Sequence, residues 1–217
     1  MKTKPAAEAT LANLPGAPGS AALDEETARA EVYGLLSALF YLAPTPELLS
    51  QLRVAVTDSP VPGGFLEQPW SALVAHARAR DDAAIRDEYN ALFGGVGKPE
   101  VSLFGSHYLS GFLNEKPLAA LRGDLARLGL ARVDAMSDTE DHVAYVCEVM
   151  RYLIAGDDAA VANLKAQRVF FTDHLQPWVA QMCDSIAQHP QAHFYAALAA
   201  FTRAFVAVET QGFDLLE

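Results

Sequence analysis

Asp141 and His142 stand side by side at the head of a long apolar helical run. A carboxylate beside an imidazole can move protons, or it can hold a cationic group through charge-assisted hydrogen bonds. Ser137 is spaced to act as an N-cap and Glu140, three residues on, to reach back to it, the pattern of a capping box. Val143, Val146, Cys147, Met150, Leu153 and Ile154 then recur at helical spacing and make one apolar stripe. The pair is therefore expected in the first turns of a helix, beside its positive end. Asp141, Tyr145, Glu148 and Tyr152, spaced by four, three and four, are expected to share a second, polar-aromatic face. A purely structural role competes with chemistry here: an Asp in a first turn complements the helix dipole, and a His can bond a nearby backbone group.

Other constellations are weaker. Di-iron carboxylate bundles need Glu-x-x-His pairs, and none of the six histidines has Glu three residues before it. His189 and His193 have i,i+4 spacing, but Pro190 places His189 at a helix boundary and spoils their common face. No metal and no cofactor is expected. Gly94-Gly95-Val96-Gly97-Lys98-Pro99 is only superficially a phosphate loop, because Leu92 stands where its first glycine belongs and Pro99 replaces the hydroxyl residue. There is no G-x-S-x-G elbow, and Cys147 and Cys183 sit in apolar helical patterns that point to buried thiols.

The elements that must position these residues are all helices. Asp24 to Ala43 reads as the first, with Val32, Leu35, Leu36, Leu39 and Phe40 on its stripe and Pro44 as its stop. Thr45-Pro46-Glu47 restarts a helix that fades by Asp58, before the loop Ser59–Gly64. Trp70 to Ala79 and Asp81 to Phe93 follow, then an irregular or briefly helical aromatic stretch from Glu100 to Asn114. Pro117 to Leu128 is a helix closed by Gly129, and Asp157 to Ile186 is kinked or split by Pro177. Pro190 is expected to open a last long helix carrying Phe194, Leu198, Phe201, Phe205 and Val208. Nothing alternates with a period of two, so the fold class is all-α, a single compact bundle of about eight to ten helices.

Composition narrows the function. A net charge of −11 argues against a phosphate-backbone partner and favours cations or basic peptides, although acidity also serves solubility. No apolar run reaches the ~18 residues of a membrane span. The two cysteines, without disulfide-like spacing, fit a reducing compartment. Residues 1–22, rich in Ala, Pro and Gly, read as a disordered tail ahead of one helical domain over residues 23–217.

Several segments, in order, resemble the redox-enzyme maturation chaperones of the TorD/DmsD/NarJ type. Leu39-Phe40-Tyr41-Leu42-Ala43-Pro44 is similar to the family's LFxxxP, and Glu88-Tyr89-Asn90-Ala91-Leu92-Phe93 to its Y-x-x-LF stretch. Leu103-Phe104-Gly105-Ser106-His107-Tyr108 sits where the family has an aromatic-[EG]-S-aromatic loop. Asp138-Thr139-Glu140-Asp141-His142 occupies the place of its E-P-x-D-H signature, with Asp138 and Thr139 replacing Glu and Pro. Asp173-His174-Leu175-Gln176-Pro177-Trp178 is similar to its H-L-x-P-W.

The resemblance implies a cytoplasmic, non-catalytic chaperone, monomeric or a domain-swapped dimer. Its partner would be the precursor of a molybdenum-cofactor oxidoreductase, bound by its twin-arginine signal peptide or a terminal segment, without nucleic acid or stable membrane insertion. The family's recognition residues carry over as Asp141 and His142. Tyr41 and Phe104 are expected to line an aromatic groove, Gly105 and Ser106 to admit a peptide backbone, and Glu148 to add charge. The residues alone leave two rivals open: a small helical enzyme using Asp141 and His142 as acid-base groups, and a helical partner-binding protein with an unrelated client.

Overall fold

Apolar stripes on the helices leave each with one face to bury, and the computed structural model packs these faces against one another. It describes residues 21–57, 66–94, 98–111, 116–133 and 137–215. The tail expected over residues 1–22 lies outside them, except that the first helix already includes Ala21; the Ser59–Gly64 loop lies outside as well. Ten helices are present among the described residues: α1 (Ala21–Tyr41), α2 (Pro46–Val54), α3 (Glu67–Ala79), α4 (Asp82–Phe93), α5 (Gly105–Ser110), α6 (Lys116–Arg127), α7 (Val143–Ala155), α8 (Leu164–His174), α9 (Gln176–Ala187) and α10 (Phe194–Asp214). None is long and apolar enough to cross a membrane.

Local chemistry sets most boundaries. Thr45 Oγ1 accepts the Leu48 amide at the head of α2, and Asp81 Oδ1 accepts the Ala84 amide at the head of α4. Gly129, at φ 71°, closes α6 with Leu130 N–H donating to Leu125 C=O and Gly129 N–H to Ala126 C=O, a Schellman motif. Leu175 ends α8 and heads α9 with its φ stretched to −118°, and Pro177, which has no N–H to continue α8, sits in the first turn of α9.

Three boundaries differ from expectation. The segment expected to be helical from Asp157 becomes so only at Leu164, where Asn163 Oδ1 accepts the Ala166 amide as N-cap. The last helix begins at Phe194, not Pro190, because the buried Glu88 carboxylate of α4 caps it from afar. Glu88 Oε1 accepts the amides of His193 and Tyr195, and Oε2 that of Phe194. The central helix begins at Val143, not near Ser137: Ser137 Oγ donates to Asp138, and Glu140 is drawn away by Arg122 of α6, at 2.8 Å. The capping box does not form.

The α1–α7 pair is the axis of the bundle, with the end of α1 beside the start of α7. On α7 the whole expected stripe is buried, from Val143 to Ile154, as are Leu35, Leu36, Leu39 and Phe40 of α1. Around this pair, α10 packs on α9 and α3, α8 on α7, and α5 on α6 and α9. At the opposite end of the axis from the α7 entry, Arg29 forks onto Glu209 through Nε at 2.7 Å and Nη2 at 2.9 Å, and donates to Gln167 through Nη1. Tyr33 Oη also donates to Glu209, so this buried carboxylate is fully matched with donors. Cys147 and Cys183 are both buried and free, and burial pushes the Cys183 thiol up to about 12.

Candidate functional site

The loop before α5 and the turn before α7 meet in one antiparallel bridge, Phe104 to His142. Gly105 N–H donates to Asp141 C=O at 2.9 Å, and Val143 N–H to Leu103 C=O at 2.8 Å. The chain is extended on both sides, at Phe104 (φ −110°, ψ 130°) and His142 (φ −63°, ψ 134°). Two segments almost forty residues apart in sequence are thereby locked beside the tip of α1.

Asp141 is the bolt of this junction. Its Oδ2 accepts the Ser106 amide at 2.9 Å and its Oδ1 the Thr139 hydroxyl at 2.6 Å. The residue is 4% exposed and precedes α7 instead of sharing its outer face. At 4% exposure and with one internal donor on each carboxylate oxygen, Asp141 faces the protein interior. Thr139, which stands where the family signature has Pro, is half of this arrangement, and its carbonyl also accepts the His142 amide.

His142 is the N-cap of α7. Its Nδ1 accepts the Ala144 amide at 3.2 Å, which requires the neutral ring with its proton on Nε2. The residue is 5% exposed, and burial drives its pKa down to about 4, against the opposing pull of the charges on Asp138 and Asp141. Its ring stands edge-on to Phe104 at 5.0 Å and tilted to Tyr145 at 5.7 Å.

Gly105 and Ser106 are also interior. A Cβ at Gly105 would lie 2.9 Å from the Trp178 indole, so glycine is needed for the approach of the core tryptophan, not for that of a peptide. Trp178 Nε1 donates to His174 C=O at 2.6 Å, and its ring stacks on Tyr108 at 5.9 Å. Ser106 is 1% exposed, and among the described residues its Oγ has no hydrogen-bond partner.

What reaches the surface is the rim. Tyr41 and Tyr145 pair at 5.5 Å across the α1–α7 seam, and both are partly exposed, as is Phe104. Tyr89 of α4 joins them by donating from Oη to the Tyr41 carbonyl at 2.9 Å, and Leu42 beside it is exposed. Burial raises the phenols of Tyr89, to about 12, and Tyr145, with the charge of Asp138 acting in the same direction on both. Glu148 is not brought to this rim: it is exposed and forms an i,i+3 pair with Arg151. Among the site residues read from the sequence, Asp141, His142, Tyr41, Phe104, Gly105 and Ser106 do converge. Four of them form the brace and only Tyr41 and Phe104 face outward.

The nitrate reductase delta subunit family model matches residues 65–184, which is more than half of the chain and includes the whole α5–α7 junction. The chaperone protein TorD of Vibrio cholerae serotype O1 (strain ATCC 39541 / Classical Ogawa 395 / O395) is 24% identical over 204 residues, covering 87% of this chain and 93% of the relative. The TorD proteins of strains ATCC 39315 / El Tor Inaba N16961 and M66-2 are 24% identical over the same length. With the family model matching more than half of its length, the chain belongs to the nitrate reductase delta subunit family, as a TorD-like redox-enzyme maturation chaperone rather than an enzyme.

Proposed function

We propose that this chaperone works in the cytoplasm on the precursor of a molybdenum-cofactor oxidoreductase, holding its twin-arginine signal peptide or a terminal segment until the cofactor is in place. The supporting observation is the rim at the α1–α7 mouth, where Tyr41, Phe104 and Tyr145 stay partly exposed above a rigid, hydrogen-bonded brace. A signal peptide offers a cationic end and an apolar run. Aromatic faces accept both, through cation–π contact and through burial. The net charge of −11 favours encounter with a basic segment and makes capture sensitive to salt.

In this reading Asp141 and His142 act through the rim and not on the peptide. They hold the Leu103–Ser106 loop and the α7 entry in register, and so fix where Phe104 and Tyr145 stand. Preorganisation of this kind lowers the ordering cost of binding. The test is affinity purification of the tagged chain from cells expressing molybdoenzymes, with mass spectrometry of bound proteins. An uncleaved molybdoenzyme precursor is the expected client, lost when its leader is deleted. Recovery of the precursor equally well without leader or terminal segments would overturn the proposal.

A further inference from the structure

α6 is tied to the α5–α7 junction from two directions. Leu118, Leu121 and Leu125 make its buried stripe, and the helix packs chiefly on α5, whose first residues the brace holds. At about 100° per residue, Arg122 and Asp124 fall on opposite flanks of that stripe. Each flank carries one polar tie. On the first, Arg122 donates through Nε at 3.0 Å and Nη2 at 2.8 Å to a single oxygen, Oε2 of Glu140. On the second, Asp124 Oδ2 meets His174 Nε2 at 2.8 Å, while Arg127 in the next turn holds Oδ1.

Both ties end on residues that hold the brace. Glu140 directly precedes Asp141, whose carboxylate accepts the Ser106 amide and the Thr139 hydroxyl, so Arg122 pulls on the turn that locks α5 to α7. His174 closes α8, and its carbonyl accepts Trp178 Nε1 at 2.6 Å. The Trp178 ring in turn stacks on Tyr108 and leaves no room for a side chain at Gly105. Tyr108 Oη donates to Ser102 C=O at 2.7 Å, at the foot of the Leu103–Ser106 loop. One tie therefore reaches the brace through the turn before α7 and the other through the tryptophan of α9. They differ in shelter: the Arg122 and Glu140 side chains are 50% and 11% exposed, those of Asp124 and His174 21% and 9%. An ion pair with one partner in water is weak and easily released; a partly buried one is costlier to break.

We propose that α6 is a strap that sets the stiffness of the α1–α7 mouth, through the Arg122–Glu140 tie on one flank and the Asp124–His174 tie on the other. With both made, the Leu103–Ser106 loop and the His142 turn move as one body. Breaking either lets the brace open while the rest of the bundle stays folded, so anything that lifts α6 loosens the rim. The strap works without a ligand; it goes beyond the client reading, and stands or falls apart from it. Arg122, Glu140, Asp124 and His174 are positioning residues in this scheme.

The experiment is hydrogen exchange of the full chain by NMR, without peptide, read at the amides that report the brace: Gly105, Ser106, Val143 and Ala144. Arg122→Gln and Glu140→Gln should each speed exchange there about two- to fivefold, the loss of a half-exposed ion pair, and the double variant should do no more than either alone. Asp124→Ala leaves His174 unmatched and should speed the same amides about tenfold. The Leu48 and Ala84 amides, at the heads of α2 and α4, should keep their wild-type rates. In every variant the brace amides should exchange faster than the slowest amides of α10, which mark unfolding of the whole bundle. Brace amides unmoved by all three single substitutions would overturn the strap. So would effects of Arg122→Gln and Glu140→Gln that multiply in the double variant, or an equal acceleration at Leu48 and Ala84. Brace amides no faster than the slowest of α10 would show that the junction opens only with the whole fold, and would overturn it as well.

Discussion

Replacing Asp141 by alanine should cost stability before it costs binding. The carboxylate accepts two hydrogen bonds, from the Ser106 amide and the Thr139 hydroxyl, and bonds to a charged group contribute about 1.5–3 kcal/mol each. The two losses are unequal. Thr139 is partly exposed and its hydroxyl can turn to water, so most of its bond is recovered. Ser106 is 1% exposed, and its amide would be left without an acceptor. Net destabilisation should be about 2–4 kcal/mol, a fall in Tm of about 5–15 °C for a chain of this size. Asp141→Asn keeps one acceptor oxygen and should lose about half as much. Urea unfolding and calorimetry of the wild type and both variants measure this, and cooperative transitions license the comparison. An Asp141→Ala variant within about 0.5 kcal/mol of wild type, with leader binding abolished, would refute the reasoning and return the carboxylate to direct recognition.

Three further outcomes follow from the same contacts. Gly105→Ala should destabilise by about 1–3 kcal/mol and shift tryptophan fluorescence, because the new Cβ would lie 2.9 Å from the Trp178 ring. Glu88→Ala should fray the start of α10 by freeing the amides of His193, Phe194 and Tyr195, seen as faster hydrogen exchange there than in Glu88→Gln. His142, with its folded pKa lowered to about 4, stays neutral where the unfolded chain takes up a proton, so stability should fall as pH drops through the window from about 6.5 to about 4. That shift corresponds to about 3 kcal/mol across the window. His142→Asn, which can still cap α7, should show a flatter profile there; parallel profiles for the two proteins would contradict the assignment.

The features legible in the sequence are those whose cause is local. The Thr45-Pro46 start, the Gly129 stop and the split before Pro177 depend on neighbours within a few residues, and each is found where expected. The apolar stripes of α1 and α7 depend only on helical periodicity, and they are buried nearly residue for residue. Where the cause is distant, the local signal misleads. Ser137-x-x-Glu140 has the spacing of a capping box, but Arg122 of α6 competes for Glu140 and His142 caps the helix instead. Asp141 precedes α7 and turns inward, not onto the helix's outer face, because the Ser106 amide that holds it lies 35 residues earlier. The Glu88 cap has no local signature at all, its three donors being more than a hundred residues away.

Binding at the α1–α7 mouth is the claim on which the functional account stands. Hydrogen–deuterium exchange of the full chain, with and without saturating client leader peptide, locates the bound segment directly. Protection concentrated at the end of α1, the Leu103–Ser106 loop and the Asp138–Tyr145 turn is the outcome expected. Protection confined to the α9–α10 face or the Arg29–Glu209 end, with the mouth unchanged, would contradict the account.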